Sequence, residues 1–359
     1  LSHCAIEQQR RKSLNAPITQ WLDTTRGIMR VLIYDTKRYD RDGLIEVNAG
    51  GHQLDFIEAP LNEHTAALAK GYQAVSIFVN DDASAPVMVK LAEAGVKLVT
   101  LRSTGFNNVN IDAAHRLGIT VMRVANYSPW AVAEFAVALL QTVNRKIHRA
   151  YNRTRENNFL LDGLQGRDLH GKTVGVVGTG RIGMIFGKIM KGFDVRLIGY
   201  DVAQNPECLA YGMEYLPLDD VLAQSDVISL HVPLLASTRY LINAGTLAQM
   251  KRGVILINTS RGALIDTEAL IEALKSGQVG AVGLDVYEEE DGLFFRDRSD
   301  QIITDDVFTL LVSFPNVLVT GHQAFFTREA LSEIADTTIR NLTDFENGRS
   351  NDNTLTPKS

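Results

Sequence analysis

The sequence predicts an α/β protein built from two doubly wound parallel sheets, with one domain inserted into the other. Three observations carry the prediction. Apolar, β-branched runs recur through both halves of the chain with helix-period segments between them, the pattern of strands joined by crossover helices. A glycine-rich turn, Gly178-Thr179-Gly180-Arg181-Ile182-Gly183, sits near the middle of the chain rather than at its start. After Ala324 only helical pattern remains, over 329–348, and a terminal helix of this kind packs back onto one of the sheets.

Taken in order, residues 1–28 carry Arg10, Arg11, Lys12 and Arg26 with little periodicity, and read as an extension outside the fold. They hold no apolar core of a secretory signal, and Glu7 and Asp23 argue against an organellar transit peptide, because such segments avoid acids. Met29-Arg30 then opens directly onto a strand at 31–34. Further strands are expected at 74–79, 97–101 and 119–124, with helical patterns at 63–70 and 86–94 between them. Ser128 can cap a helix whose first position suits Pro129, and that helix runs to about Lys146, long enough to cross between domains. A second strand series follows at 173–177, 195–200, 227–231, 254–258, 279–284 and 317–320. The polar tail from Ser350 onward is expected to fray.

The composition allows two cores, with 45% hydrophobic residues in 359. Lys plus Arg number 36 against 42 Asp plus Glu, and no basic block stands out, which speaks against nucleic acid or an anionic membrane surface as a partner. The longest helical apolar stretch, 131–143, is interrupted by Glu134 and is too short to span a bilayer. Cys4 and Cys208 are too few for a disulfide framework, which suits a reducing compartment, and the cytoplasm is the expected location. The histidines are scattered without metal-ligand spacing, so no metal is expected.

A bare G-x-G-x-x-G is weak evidence, because glycines also mark ordinary turns. Here the buried run 174–177 leads in, a helical segment leads out, and the next strand ends in Asp201, roughly twenty residues past the last glycine. Those are the parts of a Rossmann dinucleotide-binding unit. Gly178 makes the tight turn, Gly180 lets a pyrophosphate approach the backbone, and Gly183 packs helix on strand. The helix N-terminus faces the phosphates, and Asp201 accepts the ribose 2′-hydroxyl. An acid there repels a 2′-phosphate, so NAD is expected over NADP.

Three polar residues fall just past the ends of later strands, where a doubly wound sheet presents its ligands: Arg261, Glu290 and His322. Each alone has an ordinary explanation, as a helix cap, a member of the solvated acidic run 288–291, or a structural histidine. Together, beside a dinucleotide site, they supply what carbonyl reduction requires. Arg261 offers a planar fork for a carboxylate, which Lys could not match. His322 can give a proton to the developing alkoxide, and Glu290 would orient that imidazole and favour its charged form.

At this point the chain resembles the D-isomer-specific 2-hydroxyacid dehydrogenases over essentially 29–348, most closely the bacterial fermentative enzymes that form D-lactate. The likeness rests on 78–82, 102–108, the glycine turn, 258–266, 285–288 and 320–325. It implies a Rossmann cofactor domain (127–324) inserted in a flavodoxin-like substrate domain (29–126 plus 325–359). It implies NAD-dependent reduction of pyruvate to D-lactate, with His322 as acid/base, Glu290 as its partner and Arg261 as carboxylate clamp. The same resemblance assigns substrate contact to the amides of Thr104 and Gly105 and to Tyr127, with Phe325 as an apolar wall. Arg181, Ile182, Val232, Pro233, Thr238, Thr259, Ser260 and Asp285 match positions that line the cofactor.

A homo-oligomer, dimer or tetramer, and a small 2-keto or 2-hydroxy acid are the expected partners. Trp130 and Phe135 depart from the residues that relatives carry after Tyr127, a difference that bears on helix packing or the hinge. Alternatives within the enzyme class are other D-2-hydroxyacid dehydrogenases with larger substrates. Phosphoglycerate and hydroxypyruvate enzymes usually carry small residues where Phe325-Phe326 stands, and formate dehydrogenases replace the Glu with Gln. An NADH-sensing corepressor-like binding protein shares the Arg–Glu–His set, but the long low-complexity tail of such a scaffold is missing from this sequence.

Overall fold

The computed structural model describes residues 28–357. The reading of 1–28 as an extension therefore lies, but for its last residue, outside the described residues. The chain first lays down β1 (Arg30–Ile33), β2 (Gln53–Phe56), β3 (Ala74–Ile77), β4 (Leu98–Leu101) and β5 (Thr120–Met122). It then builds β6 (Thr173–Val177), β7 (Arg196–Tyr200), β8 (Glu214–Tyr215), β9 (Val227–Leu230), β10 (Val254–Asn258), β11 (Val279–Leu284) and β12 (Val317–Val319). A last strand, β13 (Thr354–Leu355), returns to the first sheet.

The sheet orders are β13-β5-β4-β3-β1-β2 and β12-β11-β10-β9-β6-β7-β8. Within the first, the run 2-1-3-4-5 is the flavodoxin order; within the second, the strands either side of β6 give the Rossmann order with one strand added. Helices cover both faces, so the central strands β3, β4, β9 and β10 are buried along their whole length.

Three strands, β2, β8 and β13, escape the sequence reading, and all lie at sheet edges. β2 is half polar and β8 is only two residues long, so neither carries a clear apolar pattern. The segment 63–70 forms only a short 3₁₀ turn, Ala66–Ala69. The expectation that the tail frays is corrected: Thr354 and Leu355 pair antiparallel with Met122 and Val121. Its polarity misleads because the asparagines bond to structure instead of water. Asn341 Oδ1 accepts from Asn351 Nδ2 at 3.2 Å and from Asn353 Nδ2 at 2.9 Å.

The helix Pro129–Arg145 begins as the sequence indicates, with the Ser128 hydroxyl accepting from the Ala131 amide at 3.3 Å. Its alanine-rich face, with Leu139, Leu140 and Val143, joins the core formed by β6, β10 and the helix Arg181–Met190. Phe135 packs against this core, while Trp130 stays half exposed with Lys188 over its ring. The C-terminal helix Arg328–Glu346 packs on the first sheet, where Ala335, Ile339 and Leu342 share a core with Val31, Ile33, Leu44 and Leu98. The carboxyl ends of both sheets then line a single cavity of about 510 Å³.

Candidate active site

The three glycines of the mid-chain turn are each required for a different reason. Gly178 has φ 92°, and a Cβ there would strike the backbone of His231 and Val232. A Cβ on Gly183 would strike the carbonyl of Gly178, so this glycine lets helix and strand touch. Gly180 has nothing near it and faces the cavity at the start of the helix Arg181–Met190. That combination is an open cradle of backbone at a helix N-terminus, the form an anionic pyrophosphate fits.

Asp201 closes the cradle at the end of β7. Its carboxylate accepts from the Thr179 amide at 2.6 Å, the Thr179 hydroxyl at 3.2 Å and the Val202 amide at 2.7 Å. A carboxylate has about four acceptor positions, so capacity remains for a sugar hydroxyl. Tyr215, on the strand missed from sequence, donates to the Thr179 hydroxyl at 2.6 Å and helps hold the turn. The residues present therefore fit a dinucleotide.

Arg181, Ile182, Pro233, Thr259, Ser260 and Asp285 line the cavity. Val232 and Thr238 stand behind that lining. The Val232 carbonyl accepts from the Ser260 hydroxyl at 2.6 Å, and the Thr238 hydroxyl donates to the Pro233 carbonyl at 2.6 Å. Both hold the shape of the wall.

The polar set converges from the second sheet. Arg261 follows β10 in extended backbone, with Asn258 Nδ2 donating to its carbonyl at 2.8 Å. Among the described residues no carboxylate pairs with its guanidinium, which donates only to the Ser260 carbonyl, at 2.6 Å. The guanidinium lies directly against Gly105, where any Cβ would collide with it. Thr104, Gly105, Tyr127 and Phe325 line the same cavity. Tyr127 packs against Phe325 at 6.2 Å between ring centroids, and burial raises its pKa above that of a free phenol.

His322 Nδ1 meets Glu290 Oε1 at 2.8 Å, with both side chains largely shielded from solvent. Nε2 is thus the nitrogen left to face a substrate. His322 sits at φ 55°, a left-handed conformation uncommon for a side chain of this size. The strained loop is held by Asp285, fully buried, whose carboxylate accepts from the amides of Gln323 at 2.9 Å and Ala324 at 2.7 Å and from the Thr320 hydroxyl. Burial raises the Asp285 pKa, while these hydrogen bonds oppose that shift. Glu290 is steadied by the Tyr287 amide at 3.1 Å and does not itself line the cavity.

Several lining residues escape the sequence reading. Phe295 lies tilted 5.8 Å from the His322 ring and edge-on 5.3 Å from Phe78, on a loop without periodicity. His231 lies deep beside the glycine turn, bonded to the Ser229 hydroxyl at 2.9 Å; surrounding protein pushes its pKa down to about 3, though its ring keeps some contact with the open cleft. Arg102 is 1% exposed, donates to the Tyr34 carbonyl at 2.9 Å and faces Asp40 at 3.4 Å. Arg123 also lines the cavity, and no sequence pattern marks it.

A dinucleotide cradle facing an acid–imidazole pair and an unpaired guanidinium across one cavity defines the class: a two-domain nicotinamide-dependent oxidoreductase acting on a carboxylate-bearing carbonyl or alcohol. Residues 137–324 match the family model for the D-isomer specific 2-hydroxyacid dehydrogenase NAD-binding domain. The chain belongs to the D-isomer specific 2-hydroxyacid dehydrogenase family. It is 50% identical to the D-lactate dehydrogenase of Escherichia coli over 91% of this chain and 100% of that protein. The apo-structure of that enzyme superposes with a TM-score of 0.84 at 48% identity, covering 91% and 100% of the two chains. The pyruvate reductase of Chlamydomonas reinhardtii gives 0.86 at 47% identity over 90% and 98%. The D-lactate dehydrogenase with NAD+ from Lactobacillus jensenii gives 0.77 at 32% identity over 92% and 100%.

Proposed function

We propose that this chain is an NAD-dependent D-lactate dehydrogenase: pyruvate + NADH + H⁺ gives D-lactate + NAD⁺. The observation that carries the reading is His322, held by Glu290 at 2.8 Å, in one cavity with Arg261 and the apolar Phe325. When NADH is bound, its nicotinamide supplies the hydride. Gly178, Gly180 and Gly183 cradle its pyrophosphate, Asp201 takes the adenosine ribose, and the remaining cavity wall positions the rest.

Arg261 holds the substrate carboxylate with its planar fork, and the free amides of Thr104 and Gly105 complete the anion site. This fixes the keto carbon within the cavity. His322 donates from Nε2 to the carbonyl oxygen as negative charge develops there, and Glu290 stabilises the imidazolium before transfer. In the reverse direction His322 accepts the hydroxyl proton. Phe325, 7% exposed and packed on Tyr127 and Phe78, bounds the space for the third carbon and favours pyruvate over branched keto acids. The choice of the D isomer rests on the relatives.

The division of labour we assign is substrate binding to 29–126 with 325–359 and cofactor binding to 127–324. Assembly as a homo-oligomer is part of the proposal, supported by Phe159, Leu160 and Leu161, which stand 71%, 64% and 81% exposed in one run. Among the described residues no helix is long and apolar enough to cross a membrane. A cytoplasmic location agrees with the two cysteines of the sequence.

The test is NADH and NADPH oxidation against a panel of 2-keto acids, with chiral analysis of the product. Pyruvate should be the best substrate, NADH should be preferred, and the product should be D-lactate. Tight NADH binding without turnover of any 2-keto acid would instead indicate a sensing protein.

A further inference from the structure

Among the described residues Arg123 is a cation without a counter-ion: no carboxylate lies within ion-pair distance of it, and its Nε is buried with no hydrogen-bond partner. Burial pulls its pKa below the ordinary guanidinium value. Yet its placement is over-determined. Its amide donates to the Asn353 carbonyl at 2.9 Å, its carbonyl accepts from Asn341 Nδ2 at 3.0 Å, and its guanidinium lies over the Phe106 ring at 5.1 Å. An uncompensated, half-buried charge held this firmly is costly unless it acts on something.

What it acts on is one peptide unit. Arg123 Nη1 donates to the Thr104 carbonyl at 3.0 Å. That carbonyl and the Gly105 N–H belong to the same amide, and neither the Thr104 nor the Gly105 N–H has a partner among the described residues. The loop is pinned elsewhere, by the Thr104 hydroxyl on the Val124 carbonyl and the Ser103 hydroxyl on the Gly105 carbonyl, both at 2.8 Å. A cationic donor on an amide oxygen draws electron density from the nitrogen side and strengthens the N–H as a donor, by roughly 10–30% per bond in a chain of hydrogen bonds.

We infer that Arg123 is a positioning residue of the carboxylate subsite, orienting and polarising the Thr104–Gly105 amide so that its N–H binds the substrate anion while Arg261, whose guanidinium lies against Gly105, grips the same anion. The inference rests on the functional reading above. The site it describes takes small 2-keto monocarboxylates, and the interaction is made in ground state and transition state alike, so it belongs in KM rather than kcat.

The experiment compares wild type, Arg123→Met and Arg123→Lys for pyruvate kinetics, for oxamate binding as a non-reacting carboxylate, and for NADH affinity by fluorescence. In Arg123→Met the pyruvate KM and the oxamate dissociation constant should rise together by about tenfold or more, a loss of about 1.4 kcal/mol. The kcat should fall only a few-fold and NADH affinity should hold. Arg123→Lys keeps the charge but not the fork, and should show a smaller rise in the same two constants; it carries the test if the methionine variant does not fold. Unchanged oxamate binding in either folded variant, or a rise matched by lost NADH affinity, overturns the role of Arg123. Failure of the wild type to reduce pyruvate overturns the reading of the site instead, and the oxamate comparison still judges Arg123.

Discussion

The two sheets meet the same cavity with different materials. The second sheet brings groups that can carry charge or a proton: Arg261 after β10, and Glu290 and His322 after β11 and β12. The first sheet and the segments packed on it bring a backbone loop and a wall, through Thr104, Gly105, Phe78 and Phe325. The second sheet's groups are held by one another across its strand ends, as Asn258 holds the Arg261 backbone and Asp285 holds the His322 loop. The loop at Thr104 depends on arginines that reach in from outside, Arg123 from the end of β5 and Arg261 from the other sheet. On this reading, the proton chemistry is concentrated on one side of the cleft, while recognition is shared between Arg261 on that side and the loop and wall on the other. Loss of the proton donor and loss of the loop or wall should therefore leave different kinetic signatures.

The sharpest break in that contrast comes from the second sheet. His322→Gln removes the proton donor and should lower kcat by roughly 10³-fold, within the range for general acid–base catalysis, while NADH affinity survives. Glu290→Gln should lose less, because it removes the carboxylate that orients and stabilises the His322 ring at 2.8 Å but leaves the imidazole itself in place. Stopped-flow reduction with a parallel fluorescence titration of NADH measures both. A His322 variant that keeps most of its rate would move the proton donor elsewhere.

A smaller effect should come from the wall. Phe325→Ala opens space beside Tyr127 and should shift the ratio of kcat/KM for a branched keto acid over pyruvate by about tenfold, the scale of a methylene-sized pocket change. The absolute rate with pyruvate should fall less than in the His322 variant. Equal loss with every keto acid would remove Phe325 from the specificity wall and weaken the contrast between the two sides.

The smallest effect is on stability, and it separates the two histidines of the cleft. His231 has its folded pKa depressed to about 3, below an unfolded value near 6.5, so it is neutral in the fold at pH 7. A depressed value contributes stability that is complete above the unfolded pKa and is lost as pH falls toward the folded one. Thermal unfolding of the wild type between about pH 7 and pH 5 should therefore show stability declining on the acid side, by no more than about 1.4 kcal/mol per pH unit for this one proton. His231→Gln should flatten that slope. An identical slope in the variant would assign the acid sensitivity to other groups.

Much of the fold was legible because the signals are local. Strand and helix periods repeat within a few residues, the Ser128–Pro129 helix start is adjacent in sequence, and the glycine turn with Asp201 falls within one strand–helix–strand unit. Arg261, Glu290 and His322 could be picked out because strand ends in a doubly wound sheet point at ligands. Tertiary structure alone decided which groups share the cavity. Phe295 joins His322 from a patternless loop, Arg123 reaches Thr104 across 19 residues, and β13 pairs with β5 although its residues read as solvated. Short-range periodicity reports what each segment buries, because burial on a face repeats with the backbone. Pairings such as these depend on where a distant segment arrives after folding, and a residue's type carries no record of that.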